Sequence, residues 1–152
     1  MVVPPDFQQK FPLLTQDTFR PDSPPTPAYN CIAWAAGDDT VWWEPSQDGF
    51  WPPGVPRELS VAAFVAAFGT LGYVVCPSDV PESDFEKIAL YADFTQRPTH
   101  AARQLPDGTW TSKLGRNVDI VHSDPRVLQG PEYGHVVQFM RRRKSSVSNI
   151  AL

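Results

Sequence analysis

The clearest repeat of apolar positions is Val61, Phe64, Val65, Phe68 and Leu71, which fall on one face of a 3.6-residue period. Alanines fill much of the remainder, Ser60 is placed to cap the start and Gly72 to end it, so a helix is predicted there. A second, shorter helix is predicted between Asn30 and Gly37, with Cys31 in its first turn. After Gly72 the period shifts to two, predicting strands at Tyr73–Cys76, Lys87–Asp93 and Gly134–Arg142. The best hairpin signal is the pair of runs Thr99–Leu105 and Thr109–Leu114 around Pro106-Asp107-Gly108. Helices first and hairpin-connected strands afterwards indicate an α+β domain, its N-terminal helices packed on a mostly antiparallel sheet.

Proline changes the picture at the N-terminus. Of 17 prolines, seven lie within residues 1–28, and each fixes φ and removes an N–H donor. The expected organisation is therefore a proline-rich arm at 1–28, one folded domain at 29–143 and a flexible tail at 144–152. The stretch Trp42, Trp43, Phe50 and Trp51 has no period and reads as an ordered loop across the core or along a cleft.

With 41% apolar and 20% charged residues the chain has the composition of a globular protein. A net charge of −4 argues against non-specific nucleic-acid binding as the main task; the run Arg141, Arg142, Arg143, Lys144 reads as a solvated strand end. No apolar run approaches the roughly 20 residues of a membrane span and no signal-peptide pattern opens the chain, so a cytoplasmic location is expected, with no membrane partner. The two cysteines, Cys31 and Cys76, have dissimilar settings and read as free thiols. Cysteines and histidines are scattered without a CxxC or HxxxH pair, so no metal and no cofactor is expected.

The candidate chemistry centres on Cys31. A cysteine in the first turn of a helix has its thiolate favoured by the helix dipole and by free N–H groups, which can also donate to a developing oxyanion. His100, at the start of the first hairpin strand, is the best-placed base. A third polar group should hold the imidazole. Asp119 is the first choice, and Ser112 or Thr111 on the neighbouring strand is the alternative. Cys76 reads as a small buried hydrophobe, His122 and His135 as structural, Glu82, Asp84 and Glu86 as a solvated acidic turn, and Arg103 and Lys113 as cross-strand surface charges.

Asn30-Cys31-x-Ala33-Trp34-Ala35, followed by His100-Ala101-Ala102-Arg103 and Trp110-Thr111-Ser112-Lys113-Leu114-Gly115, resembles a family of small bacterial proteins. That family is in turn similar to the papain-like superfamily, with the NlpC/P60 and CHAP amidases among its closer analogues. The resemblance covers about Tyr29 to Arg142. It implies a papain-like fold in which Cys31 is the nucleophile, His100 its base and a polar residue on the next strand the third member. Related sequences often carry histidine where Ser112 stands, so the third position stays open.

The function expected from these readings is a cysteine peptidase or amidase that cleaves a peptide or protein amide through an acyl-thioester. A deamidase or transglutaminase-like effector would use the same intermediate. The alternative of another class is an inactive scaffold that binds a peptide or protein through the tryptophan-rich loop and the proline arm.

Overall fold

The computed structural model describes residues 6–15, 17–114, 116 and 118–144. Its helices are α1 (Phe7–Lys10), α2 (Cys31–Ala35) and α3 (Val61–Gly69); its strands are β1 (Phe19–Ser23), β2 (Val74–Cys76), β3 (Phe85–Ala92), β4 (Pro98–Gln104), β5 (Trp110–Lys113), β6 (Asp119–His122) and β7 (His135–Arg143). A 3-10 turn at Pro125–Leu128 precedes β7. All seven strands join one sheet in the order β1-β6-β5-β4-β3-β7-β2, with every pairing antiparallel.

Local chemistry sets the elements that the sequence announces. Asn30 Oδ1 accepts from the Ala33 N–H at 3.1 Å and Ser60 Oγ from the Ala63 N–H at 3.1 Å, two side-chain caps each worth about 1 kcal/mol. The hairpin turn is closed by Asp107 Oδ1, which accepts the Thr109 N–H at 2.9 Å, and by Gly108 at φ +91°.

The pleat divides the core in two. Ile88 and Leu90 of β3, Ala101 of β4 and Met140 of β7 share one cluster with Cys31, Ile32, Phe64 and Phe68 of α2 and α3. Ala89, Tyr91, Ala102, Trp110 and Ile120 share another with Phe7 and Phe11 of the α1 segment and Leu128 of the 3-10 turn. Alternate residues of each strand thus serve opposite faces, the α2 face and the α1 face.

The expected papain-like α+β class, with N-terminal helices on the sheet, is corrected to a mainly β fold. The three helices have only 4, 5 and 9 residues. The apolar helical period extends over α3 alone, and Pro45, Pro52, Pro53 and Pro56 break the chain between α2 and α3. The stretch read as a proline-rich arm instead contributes α1 and β1. Pro21 is tolerated in β1 because that strand lies at the edge of the sheet and pairs only with β6. The predicted tail beyond Lys144 lies outside the described residues. No helix among the described residues is long and apolar enough to cross a membrane.

Candidate functional site

The Asn30 cap does more than start α2. Its Oδ1 also accepts the Trp43 N–H at 3.0 Å, and its Nδ2 donates to the Trp43 carbonyl at 2.6 Å. One buried amide therefore ties the tryptophan loop to the helix that carries Cys31. The loop closes on itself as the Phe50 N–H donates to the Trp42 carbonyl at 2.8 Å and the Glu44 N–H to the Phe50 carbonyl at 3.0 Å. Trp43 and Trp51 go into the core, at 5% and 3% exposure, whereas Trp42 stays half-buried.

Between this loop and α2 lies a cavity of about 430 Å³. Cys31, Trp42, Trp43, Glu44, Leu59 and Phe64 are among its walls, and Pro98 and Thr99 at the start of β4 close it on the sheet side. An aromatic and aliphatic wall with a few polar groups is the usual make-up of a small-ligand or peptide pocket.

Cys31 is buried, and the backbone amides of Ala101, Ile32 and Cys31 itself favour its thiolate without a hydrogen bond to the sulfur among the described residues. Desolvation outweighs these donors and pushes its pKa up to about 11, so the group is a thiol at neutral pH. The low-pKa nucleophile expected of a helix start is not what burial produces.

His100 is paired with Tyr91 across the β3–β4 ladder and packs edge-on to its ring at 5.0 Å between centroids. It also stacks flat on Tyr133 at 4.1 Å. Both tyrosines belong to the α1 face. Its neighbour Ala101 points the other way and lies under α2 with Cys31. Cys31 and His100 therefore sit on opposite faces of the sheet, and the expected base is not brought to the expected nucleophile. Neither ring nitrogen of His100 has a partner among the described residues, and complete burial holds its pKa well below the usual histidine value.

The proposed third residues divide between the two faces. Asp119 lies on the α2 face, where one carboxylate oxygen accepts from Tyr29 Oη at 2.9 Å and from Ser23 Oγ. It holds the chain leading into α2 rather than an imidazole. Thr111 is on the same face and accepts from Trp34 Nε1 at 2.9 Å. Ser112 is on the α1 face with His122, their Oγ and Nε2 being 2.8 Å apart. Because His122 Nδ1 faces the Asp124 carbonyl at 3.0 Å and must donate there, Nε2 is the acceptor and Ser112 the donor. Burial lowers the His122 pKa to about 4.

Two readings of charged residues change as well. Lys113, taken as a surface charge, is fully buried on the α2 face: Nζ donates to the Thr26 carbonyl at 2.8 Å and lies 5.3 Å from the centre of the Tyr29 ring. Burial lowers its pKa, opposed by the attraction of the Asp119 carboxylate. Nor is the acidic turn merely solvated: Glu82 pairs with Lys87 at 2.9 Å and with Arg141, and Glu86 pairs with Arg142. Arg103 stacks on Trp34 at 5.5 Å. His135 is exposed, and Cys76 is a buried free thiol, as is Cys31. Among the described residues no group of three His, Cys, Asp or Glu side chains is arranged to hold a metal.

Sequence reasoning missed Glu44, Arg57 and Leu59 as cleft residues. The signal available was the aperiodic, proline-flanked aromatic loop itself, which identifies a surface feature without saying which side chains face inward.

No curated protein and no solved structure matches the chain. A family model does match residues 20–141, from the start of β1 almost to the end of β7, and the chain accordingly belongs to the family described as domain of unknown function DUF7689.

Proposed function

We propose that the domain is a peptide-binding module whose cleft, between the tryptophan loop and α2, takes an extended segment of a partner protein. The observation that carries this reading is the composition of the cleft. A volume of about 430 Å³ is walled by Trp42, Trp43, Leu59 and Phe64, and its rim is fixed to α2 by the Asn30 amide. A preformed apolar site loses little entropy when it binds. Leu59 is 47% exposed at this cleft, so it can be changed without disturbing the core. Titration with a leucine- and proline-containing peptide is expected to change the tryptophan emission saturably, and Leu59→Asp is expected to abolish the change while leaving the melting temperature within a few degrees. A peptide signal that survives Leu59→Asp undiminished would place binding elsewhere.

A second reading, a cysteine hydrolase using Cys31, is favoured by one observation: the residue lines the cleft from the first turn of α2. The opposite-face position of His100 and the raised thiol pKa weigh against it. In a Cys76→Ser background, iodoacetamide is expected to label Cys31 slowly at pH 7, faster as pH rises towards about 11, and identically in His100→Ala. A rate that saturates well below the free-thiol pKa of about 8.5 and is lost in His100→Ala would restore the Cys31–His100 pair.

A further inference from the structure

The stretch of chain that walls the cleft is acidic in sequence. Between residues 38 and 58 the chain carries five carboxylates, Asp38, Asp39, Glu44, Asp48 and Glu58, against a single cation, Arg57. Most of these lie on the outer loop, but Glu44 lines the cavity itself.

Glu44 is held in place by construction. A Cβ on Gly49 would come within 2.4 Å of Glu44 Cγ, so the missing side chain of Gly49 is the space that the Glu44 stem occupies. The loop's two backbone hydrogen bonds join Phe50, the neighbour of Gly49, to Glu44 and to Trp42. No hydrogen bond or ion pair within the described residues ends on the Glu44 carboxylate. Arg57, the cation that also lines the cavity, forms no ion pair with it among the described residues: its Nη1 donates to the Ser46 carbonyl at 2.6 Å and reaches the Pro45 carbonyl at 3.5 Å.

The aromatic wall supplies the other half of the argument. A cation over an indole face is attracted by the ring quadrupole, and the Arg116 guanidinium already lies 5.3 Å from the Trp42 ring. A carboxylate with no partner among the described residues, on a side chain that lines a cleft of tryptophan and phenylalanine, is the complement of a cationic head on an apolar stem. Arginine and lysine side chains have that shape and charge.

We infer that the cleft selects a basic peptide segment, with one arginine or lysine side chain directed at Glu44 and its stem along Trp42, Trp43 and Phe64. This rests on the reading of the cleft as a peptide site and deepens it by naming the chemistry of the partner. An acidic peptide would meet Glu44 with like charge, and a neutral one lacks the ion pair.

The test uses the full chain and three fluorescein-labelled decapeptides on one leucine- and proline-containing frame, differing only in carrying two arginines, two glutamines or two glutamates. Fluorescence anisotropy is expected to give the arginine peptide at least about tenfold tighter binding than the glutamine peptide, and no saturable binding of the glutamate peptide. Glu44→Gln, which keeps the side-chain shape beside Gly49, is expected to weaken the arginine peptide about tenfold and so to remove its preference over the glutamine peptide. Raising salt should erode the same difference. Equal binding of all three peptides, or an arginine preference intact in Glu44→Gln, overturns the inference and leaves the peptide site standing. If none of the three binds, the peptide-site reading fails and the inference with it. A thermal melt of Glu44→Gln matching the wild type excludes misfolding as the cause of any loss.

Discussion

Acidification from pH 7 to pH 4 is expected to remove several kcal/mol of stability, most of it before the carboxylates titrate. Two histidines are responsible. His100 is completely buried between Tyr91 and Tyr133 with neither nitrogen paired among the described residues. His122 is buried with both of its nitrogens committed, to Ser112 and to the Asp124 carbonyl. Each is neutral in the fold and has a pKa below the usual 6.5, His122 at about 4 and His100 well below the ordinary value. An unfolded chain takes up these protons as pH falls through 6.5, whereas the folded chain resists them. Stability is thus fully present above pH 6.5 and declines by about 1.4 kcal/mol per pH unit for each histidine below it. For His122 the loss runs down to about pH 4 and totals about 3 kcal/mol.

The carboxylates of Asp38, Asp93 and Asp107 have pKa values lowered below 3.8 by hydrogen bonds from neighbouring threonines, so their loss begins only at more acid pH. Urea unfolding at intervals between pH 7.5 and 4.5 will check this. The His100→Leu variant is expected to have a shallower slope, because the substitution removes one titrating group and the two unpaired nitrogens together. Stability that stays flat between pH 7 and 5 in the wild type would refute the account.

Gly134→Ala is expected to be among the most damaging single substitutions in the chain, at about 3 kcal/mol or more. Gly134 has φ +74°, and an alanine Cβ there would meet the Ala92 carbonyl oxygen at 2.1 Å and Asp93 Cα at 2.8 Å. Both obstacles are backbone, at the end of β3 and in the turn that follows it, and neither can rotate away. The turn from Gly130 to Gly134 is closed by two reciprocal backbone hydrogen bonds of 3.0 and 2.8 Å, and it carries Tyr133 onto His100. Movement at Gly134 therefore disturbs the start of β7 and the stacked pair together.

Gly37→Ala is the control. Gly37 also has positive φ, at +86°, but nothing lies within 4 Å of its Cβ position. That variant should lose only the left-handed backbone cost of about 1 kcal/mol. For a chain of this size the difference between the two corresponds to roughly 5–10 °C in melting temperature. Equal melting temperatures for the two variants would mean that the close approach to Ala92 relaxes at no cost.

The network of Lys113, Asp119, Tyr29 and Ser23 has a positional consequence for the cleft. It anchors the segment from β1 into α2 from beneath, while Asn30 anchors the tryptophan loop from the side. Both ends of the chain around Cys31 are thereby fixed, and the shape of the cleft is set before any ligand arrives.

Where neighbouring residues sufficed to fix an element, the sequence by itself determined it. Asn30 and Ser60 cap the helices that their positions announce, and Pro106-Asp107-Gly108 forms the turn between β4 and β5. Strands β3 and β7 fall where the period-two pattern puts them, within one or two residues at each end. These features depend on contacts a few residues apart, or on an alternation visible in the strand itself.

Only the tertiary structure decided the rest. Phe19–Ser23 becomes a strand because β6 offers it an edge, a partner about a hundred residues away. Lys113 is buried because Tyr29 and the chain at Thr26 cover it, which no local pattern records. The candidate site depended on the same kind of information. In His100-Ala101 one residue must face α2 and the other α1, and the sequence does not say which. The register against β3, shifted between Tyr91 and Ala92, gives the α2 face to Ala101 and turns His100 away from Cys31. A period of two fixes that faces alternate; long-range pairing alone fixes which residue has which face.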